Sequence, residues 1–98
     1  MKIEELYGKD YVFVDVRSPS EFLEDHIPGA INIPTDDLNS VAPKLLKKND
    51  TIVVYCASYT CHASTNAAKI LLKMGYKKVL DFKAGKKGWL DAGIGLER

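Results

Sequence analysis

The sequence has little that would support a secreted, disulfide-rich scaffold or a membrane-spanning protein. Its 98 residues include two cysteines, too few for a framework of disulfide bridges in a domain large enough to form its own core. No apolar run approaches the roughly 20 residues that a membrane-spanning helix needs, and residues 1–6 carry two glutamates where a signal peptide would be apolar. We therefore expect a cytoplasmic protein without a membrane partner.

An excess of charge of one sign is also missing. Lysine and arginine number 14 against 13 for aspartate and glutamate, so the formal net charge is +1 at pH 7. A balance this close to neutral produces no overall field that would attract nucleic acid or an anionic surface. We therefore predict that nucleic acid is not a partner and that any bound anion is attracted by a local site.

The two cysteines do not fit a zinc site. Cys56 and Cys61 are separated by four residues, which differs from the C-x-x-C spacing of zinc knuckles and thioredoxin-like motifs. The sequence contains no second pair of ligands with suitable spacing. We therefore predict no bound metal and no cofactor, and attribute any function of the cysteines to their own chemistry.

Short apolar segments alternate with helical segments, and no repeat, low-complexity stretch or long linker separates them. The apolar segments are rich in β-branched and aromatic residues and are predicted strands: residues 11–16, 30–33, 51–55 and 78–82. Strands that alternate with helices indicate a parallel sheet. We predict one α/β domain over residues 1–98, in which a small, mainly parallel sheet of about four or five strands is flanked by helices on both faces.

The predicted helices carry recognisable end signals. Ser18, Pro19 and Glu21 form a capping box with proline at the first helical position, so a short helix is expected to run to about Asp25. A second helical region opens at residues 35–37. We expect Pro43 to interrupt it, leaving two short pieces that end at residues 47–48.

The longest predicted helix begins near His62 and ends before Gly75, which is expected at the C′ position. Its apolar side is formed by residues at helical spacing: Ala63, Ala67, Ile70, Leu71 and Met74. A last short helix, predicted over residues 86–92, carries Trp89 and Leu90 and closes the domain.

Cys56 directly follows a predicted buried strand, and ligands of parallel α/β sheets bind beyond the carboxyl ends of the strands. The loop after it leads into the longest helix. Free amides of such a loop and of the helix's first turn, together with the helix dipole, stabilise an anion and lower the pKa of a cysteine below about 8.5. We therefore predict a nucleophilic Cys56 with a lowered pKa and an active-site loop of Ala57, Ser58, Tyr59, Thr60, Cys61 and His62.

The residues alone leave two interpretations of this site open. In the first, Cys56 is a small buried apolar residue, as most free cysteines are. In the second, Cys56 is a nucleophile, and its position at a strand-to-helix turn makes the two interpretations about equally favoured. His62 would either hydrogen-bond the site and add positive charge, or lie partly exposed at the start of the helix. We assign His62 a minor role at most.

Several segments, in order and spacing, resemble the rhodanese homology domain. The N-terminal signature of that family is similar to residues 15–22 followed by residues 26–34, and its active-site strand is similar to residues 53–56. The long helix continues the match into Gly75 and Tyr76. A weaker match is residues 84–85 before Trp89, where the family usually has Gly-Gly.

The resemblance implies sulfane-sulfur transfer through a persulfide on Cys56. The donor would be thiosulfate, a polysulfide or a protein persulfide, and the acceptor a thiol or cyanide, so the partner is a small sulfur-containing substrate or a partner-protein thiol. The covalent intermediate implies ping-pong kinetics. By the same resemblance, Asp15, Arg17, Glu21 and His26 are signature residues. We interpret them as an ion pair and turn-stabilising hydrogen bonds, although Asp15 and Arg17 end a strand on the site's side and are possible supporting residues.

One residue departs from the family pattern. Thiosulfate-using members commonly have a C-x-x-x-x-R loop, and this chain has Cys61 in place of the arginine, which removes a charge-assisted contact to a dianion. His62 is the remaining cation of the loop, with Lys83, Lys86 and Lys87 as possible substitutes. Cys61 is either a second thiol that resolves the persulfide or pairs with Cys56, or an inert spacer. We expect a thiol pair in the resting protein.

Three other functions compete with sulfur transfer. Phosphatases of related architecture have a C-x5-R loop, but His62 stands at that arginine position and no arginine lies between Arg17 and Arg98, which disfavours phosphate chemistry. A sulfur-relay or regulatory binding module would dock partners without catalysis, although an inactive domain would not need the cysteine. A thiol-disulfide redox protein would cycle Cys56 and Cys61.

Overall fold

Four strands form a parallel sheet in the computed structural model of the chain, which describes residues 11–57 and 60–96. They lie in the spatial order β2-β1-β3-β4 and are β1 (Val12–Asp15), β2 (Ile31–Asn32), β3 (Thr51–Tyr55) and β4 (Lys78–Asp81). In the register of the sheet, Val14 lies opposite Val54 on one side and Ile31 on the other. The predicted α/β class and parallel sheet are confirmed.

Helices separate the strands, as parallel crossover connections require. They are α1 (Pro19–Glu24), a 3₁₀ turn (Thr35–Asp37), α2 (Leu38–Leu45), α3 (Ala63–Lys73) and α4 (Gly85–Asp91). Within residues 11–57 and 60–96, no helix is both long enough and apolar enough to cross a membrane.

The predicted signals at the ends of α1 and α3 are confirmed. The Ser18 hydroxyl accepts the Glu21 N–H at 3.3 Å, while the Glu21 carboxylate accepts the Ser18 N–H at 3.4 Å, which completes the capping box. At the end of α3, Gly75 has φ 99° and Tyr76 donates its N–H to the Leu71 carbonyl at 3.2 Å. These are the features of a Schellman motif, so both helices have fixed ends.

The expectation that Pro43 divides the second helix is wrong. Helix α2 runs through Pro43 to Leu45, and the division lies earlier, where the 3₁₀ turn passes into α2 at Leu38. An interior proline costs a helix about 3 kcal/mol. That cost is opposed by packing, because Leu38, Ala42 and Leu46 are buried on one side of the segment while Pro43 is exposed on the other.

The core is divided by the sheet into two clusters, because successive side chains of a strand point to opposite faces. The α3-side core contains Val14, Val54 and Cys56, packed against residues of α2 and α3 that include Ala42, Ala67 and Leu71. The α4-side core contains Val53 and Tyr55, packed against residues that include Ile27, Phe82 and Trp89. Helices therefore cover both faces, and the Cys56 side chain lies on the α3 face.

Candidate functional site

Cys56 lies at the carboxyl end of β3, where its sulfur meets the first turn of α3. The residue is only 1% exposed. Its Sγ lies 3.5 Å from the Cys61 carbonyl oxygen and 3.6 Å from the Ser64 hydroxyl oxygen. The strand therefore delivers the thiol to the beginning of the long helix, in agreement with the placement expected from the sequence.

The expectation of a lowered Cys56 pKa is wrong. Burial raises the pKa of the Cys56 thiol, and the adjacent Cys61 side chain raises it further. The backbone N–H and the hydroxyl of Ser64 act in the opposite direction, but they do not compensate for the loss of solvent around the sulfur. The first turn of α3 is present as predicted, but the loss of solvent around the resting thiol outweighs the two hydrogen bonds from Ser64.

Ser64 is a site residue that the sequence interpretation missed. It is 1% exposed and lies in the first turn of α3, beside the Cys56 sulfur. A signal was available in the sequence, because Ser64 lies three positions before Ala67 and seven before Leu71, both on the predicted apolar side of this helix. Ser64 places a hydroxyl in an otherwise apolar stripe, eight positions after Cys56. A buried hydroxyl needs a polar partner, and here the partner is the Cys56 thiol.

Cys61 precedes α3 and is half-buried against the α3-side core. Both cysteines are free thiols. Since α3 begins at Ala63, Cys61 lies before the helix and its side chain is not restricted to helical rotamers. Pairing of Cys61 with Cys56 stays a prediction.

The structure describes three of the five other predicted loop residues. Ala57, Thr60 and His62 are exposed. His62 occupies the N-cap position of α3 and makes no side-chain capping hydrogen bond. Ser58 and Tyr59 lie outside the described residues. His62 is therefore an exposed side chain at the start of α3, and the minor role assigned to it stays a prediction.

Helix α4 holds the backbone of the active-site loop. Lys86 donates its N–H to the Cys56 carbonyl at 2.9 Å, and Lys87 donates its N–H to the Ala57 carbonyl at 3.0 Å. N–H groups in the first turn of a helix have no partner within the helix, so they are free for these bonds. Gly85, with φ 60°, begins α4 against this backbone. The weak Ala-Gly resemblance in the sequence therefore coincides with a structural contact to Cys56.

Asp15 and Arg17 form a buried ion pair. The Arg17 Nη2 donates to Asp15 Oδ2 at 2.7 Å, and Nε donates to Asp15 Oδ1 at 3.0 Å. Asn32 links the same segment, because its Nδ2 donates to the Asp15 and Arg17 carbonyl oxygens. This pairing is the arrangement that we expected for the signature residues. Asp15 alternates with Val14 and Val16 along the strand, so its side chain lies on the face opposite to the Cys56 side chain.

Tyr55 is buried on the α4 face of the sheet and interacts with Asp15 of the ion pair. Burial, reinforced by the Asp15 charge, raises the pKa of Tyr55. Its hydroxyl accepts the Ile27 N–H at 3.1 Å. Tyr55 therefore remains protonated and joins β3 to the segment that follows α1.

Two of the lysines expected to replace the missing loop arginine are engaged by carboxylates. Lys86 Nζ lies 2.8 Å from Asp25 Oδ1, and Lys87 Nζ lies 3.0 Å from Asp91 Oδ2. Lys83 is exposed. A dianion approaching Lys86 or Lys87 would therefore meet a charge that is already partly balanced.

An open groove of about 360 Å³ lies beyond the ends of β1 and β2. Its described lining residues carry two carboxylates and no basic group: Val16, Ser18, Pro19, Pro34, Thr35, Asp36 and Asp37. The turn that carries the two aspartates packs against α3. Across the part of the chain that the structure describes, no group of three or more histidine, cysteine or acidic residues is arranged to hold a metal ion.

Comparison with known proteins relates the whole arrangement to one family. A family model described as Rhodanese-like domain matches residues 3–92. The chain is 40% identical over 68 residues to Thiosulfate sulfurtransferase PspE of Escherichia coli, in an alignment that covers 68% of this chain and 64% of that protein. It is 34% identical over 76 residues to Putative sulfur carrier protein YrkF of Bacillus subtilis, with 78% of this chain and 40% of that protein covered. The chain thus spans less than two thirds of either relative.

Solved structures give the same relationship. The crystal structure of a Rhodanese_3 like domain from an Anabaena species superposes with a TM-score of 0.83 at 31% sequence identity. The superposition covers 90% of this chain and 99% of the other.

Proposed function

Because the chain belongs to the rhodanese-like domain family, we propose that it is a sulfurtransferase that carries sulfane sulfur as a persulfide on Cys56. The observation that carries the proposal is the placement of the Cys56 sulfur at the end of β3, against Ser64 in the first turn of α3. Relatives named as thiosulfate sulfurtransferases, at 40% and 31% identity, support the reaction class.

The proposed reaction has two displacements at sulfur. In the first, the Cys56 thiolate attacks the outer sulfur of the donor, the donor's S–S bond breaks, and the leaving group departs with the bonding electron pair. In the second, an acceptor thiolate attacks the outer sulfur of the Cys56 persulfide, which regenerates the Cys56 thiolate. A persulfide is a stronger acid than its parent thiol. The donors at the start of α3 would therefore stabilise the loaded, anionic form.

Charge around the site favours donors of low negative charge. Lys86 and Lys87 are paired with aspartates, and the nearby groove carries Asp36 and Asp37. A dianion such as thiosulfate would be poorly neutralised, whereas a persulfide or polysulfide presents its reactive sulfur with less charge per molecule or spread over a longer chain. We infer that persulfides and polysulfides are the better donors, and that a protein thiol is a suitable acceptor.

A second function, thiol-disulfide exchange, is favoured by one observation. Cys61 precedes α3, and its carbonyl oxygen lies 3.5 Å from the Cys56 Sγ. Reversible pairing of the two cysteines would make the same loop a redox switch. Sulfur transfer remains the first proposal because redox cycling would not explain the resemblance to sulfurtransferases along the rest of the chain.

Separate incubations with thiosulfate, polysulfide and a low-molecular-weight persulfide test the proposed function, with the mass of the intact chain as the measurement. We expect the chain to gain one sulfur from the polysulfide and the persulfide, and to lose it when a thiol is added. The Cys61→Ser chain is the matched control, because it retains Cys56 and excludes an internal disulfide. If none of the three donors adds sulfur, the chain is not a sulfurtransferase of this kind.

A further inference from the structure

Ser64 places a buried hydroxyl against the sulfur of Cys56. The residue is 1% exposed, and its Oγ lies 3.6 Å from the Cys56 Sγ. Burial of a hydroxyl without a hydrogen-bond partner is unfavourable, so a polar residue in the apolar stripe of α3 indicates a specific partner. The Cys56 thiol is the partner that the structure provides.

We propose that Ser64 is a catalytic residue of the sulfur transfer, whose hydroxyl donates a hydrogen bond to the sulfur anion of Cys56. The proposal rests on the proposed function, since it assigns a role to Ser64 in the thiolate state of Cys56, which attacks the donor in the first displacement and is released in the second. In the resting thiol, the one S–H hydrogen of Cys56 has two acceptors within range, the Ser64 oxygen and the Cys61 carbonyl oxygen. When the proton leaves, the Ser64 hydroxyl turns about its C–O bond and donates its own hydrogen to the sulfur.

The second neighbour of the sulfur cannot make this change. The Cys61 carbonyl oxygen, 3.5 Å from Sγ, accepts a hydrogen bond from the thiol but has no hydrogen to give to the thiolate. Deprotonation therefore turns the Cys61 carbonyl into an unfavourable neighbour and the Ser64 hydroxyl into a favourable one. Hydrogen bonds to charged groups are about twice as strong as neutral ones, so Ser64 contributes most in the reactive state.

The backbone of Ser64 reinforces its side chain. Ser64 lies in the first turn of α3, where N–H groups have no acceptor within the helix. The Ser64 N–H and hydroxyl both lower the pKa of Cys56, against the rise caused by burial and by Cys61. Loss of the hydroxyl would leave the N–H in place but would raise the Cys56 pKa further.

The hydroxyl is held in position before the reaction begins. Ala67 and Leu71, on the same side of α3, are buried in the α3-side core, and the far end of the helix is fixed by its Schellman motif. A side chain on a packed helix loses little freedom when it binds the anion. Ser64 is thus arranged for the charge that develops at Cys56.

The neighbouring Thr65 provides a matched control. Its Oγ1 donates to Asp81 Oδ2 at 2.8 Å, away from the Cys56 sulfur. Ser64→Ala and Thr65→Val each remove one hydroxyl from the first turn of α3, but only the first removes a partner of Cys56. Both substitutions are made in the Cys61→Ser chain, so that Cys56 is the one thiol that reacts.

Two rates are measured against pH: alkylation of Cys56 by iodoacetamide and its loading by polysulfide, both followed by intact mass. We expect Ser64→Ala to shift both profiles to higher pH by about one unit, which slows both reactions roughly tenfold at neutral pH. Thr65→Val should leave both midpoints where they are in the Cys61→Ser chain.

Profiles that are the same with and without the Ser64 hydroxyl would overturn the role of Ser64, while loading at Cys56 would still support the proposed function. A Cys56→Ser chain that is loaded and discharged at the parent rate would instead refute the proposed function itself. The two failures are therefore distinguishable.

Discussion

Gly85 lies so close to Cys56 that a Cβ atom at Gly85 would overlap the Cys56 carbonyl oxygen. The backbone of Gly85 also has φ 60°, a conformation that residues with side chains rarely adopt. The first turn of α4 can therefore approach the active-site backbone closely enough for Lys86 to donate its N–H to that carbonyl. One glycine thus fixes the distance between α4 and the proposed nucleophile.

Replacement of Gly85 should damage the site more than replacement of a glycine that also has a positive φ but has free space around its Cβ position. Gly93 has φ 81° and no atom within 4 Å of its ideal Cβ position, so Gly93→Ala isolates the conformational cost, roughly 1–2 kcal/mol. We expect Gly85→Ala to lose more stability in urea unfolding and to slow polysulfide loading of Cys56 roughly tenfold or more, because the loop is displaced. Equal effects of the two substitutions on loading would contradict this account.

The reaction of Cys56 should accelerate with pH well into the alkaline range. Burial raises the pKa of the Cys56 thiol, and the thiolate is the nucleophile, so each unit of pH below that pKa lowers the rate about tenfold. We expect the rate of polysulfide loading to keep rising above pH 8.5, the ordinary value for a free thiol. N-acetylcysteine, treated with the same donor, is the reference. A rate that levels off near pH 7 would mean that the helix terminus outweighs burial.

Thiosulfate should be a poor donor for the native chain and a better one for Cys61→Arg. The variant places a guanidinium where thiosulfate-using relatives of the family commonly have one, and a charge-assisted hydrogen bond contributes roughly 1.5–3 kcal/mol. Steady-state rates with thiosulfate and cyanide measure the effect, with Cys61→Ser as the control for loss of the thiol. If the native chain uses thiosulfate rapidly and Cys61→Arg is no faster, other cations of the chain already bind the thiosulfate dianion.

Sulfur transfer should survive Cys61→Ser. Loading requires only Cys56, and the displacement by an acceptor thiol needs no second cysteine. A disulfide between Cys56 and Cys61 should appear only after treatment with an oxidant such as oxidised glutathione, because both cysteines are free thiols in the resting structure. A Cys61→Ser chain that gains sulfur but cannot release it to an acceptor would make Cys61 a resolving thiol.

Local sequence signals predicted the parts of the fold that depend on local physics. Ser18 and Glu21 cap α1 as expected. Gly75 follows α3 at the C′ position, where the backbone adopts a left-handed conformation that favours glycine. The position of Cys56 at a strand-to-helix turn also followed from the pattern of apolar residues. Each of these features depends on residues that lie close together in the sequence.

Features that depend on packing across the domain could not be predicted in the same way. Pro43 lies within α2 because Leu38, Ala42 and Leu46 are buried together, which outweighs a local penalty. The direction of the Cys56 pKa shift depends on how fully the folded domain buries the sulfur. The residues next to Cys56 and Ser64 in the sequence do not determine how deeply the Cys56 thiol is buried or which group Ser64 contacts.

The central claim is that the transferred sulfur is carried on Cys56. The most direct test treats the native and Cys56→Ser chains with polysulfide, digests both, and maps the added sulfur by peptide mass, after circular dichroism has shown that both are folded. We predict one added sulfur on Cys56 in the native chain and no added sulfur in Cys56→Ser. Added sulfur in the Cys56→Ser chain, passed to an acceptor thiol at the native rate, would contradict the claim.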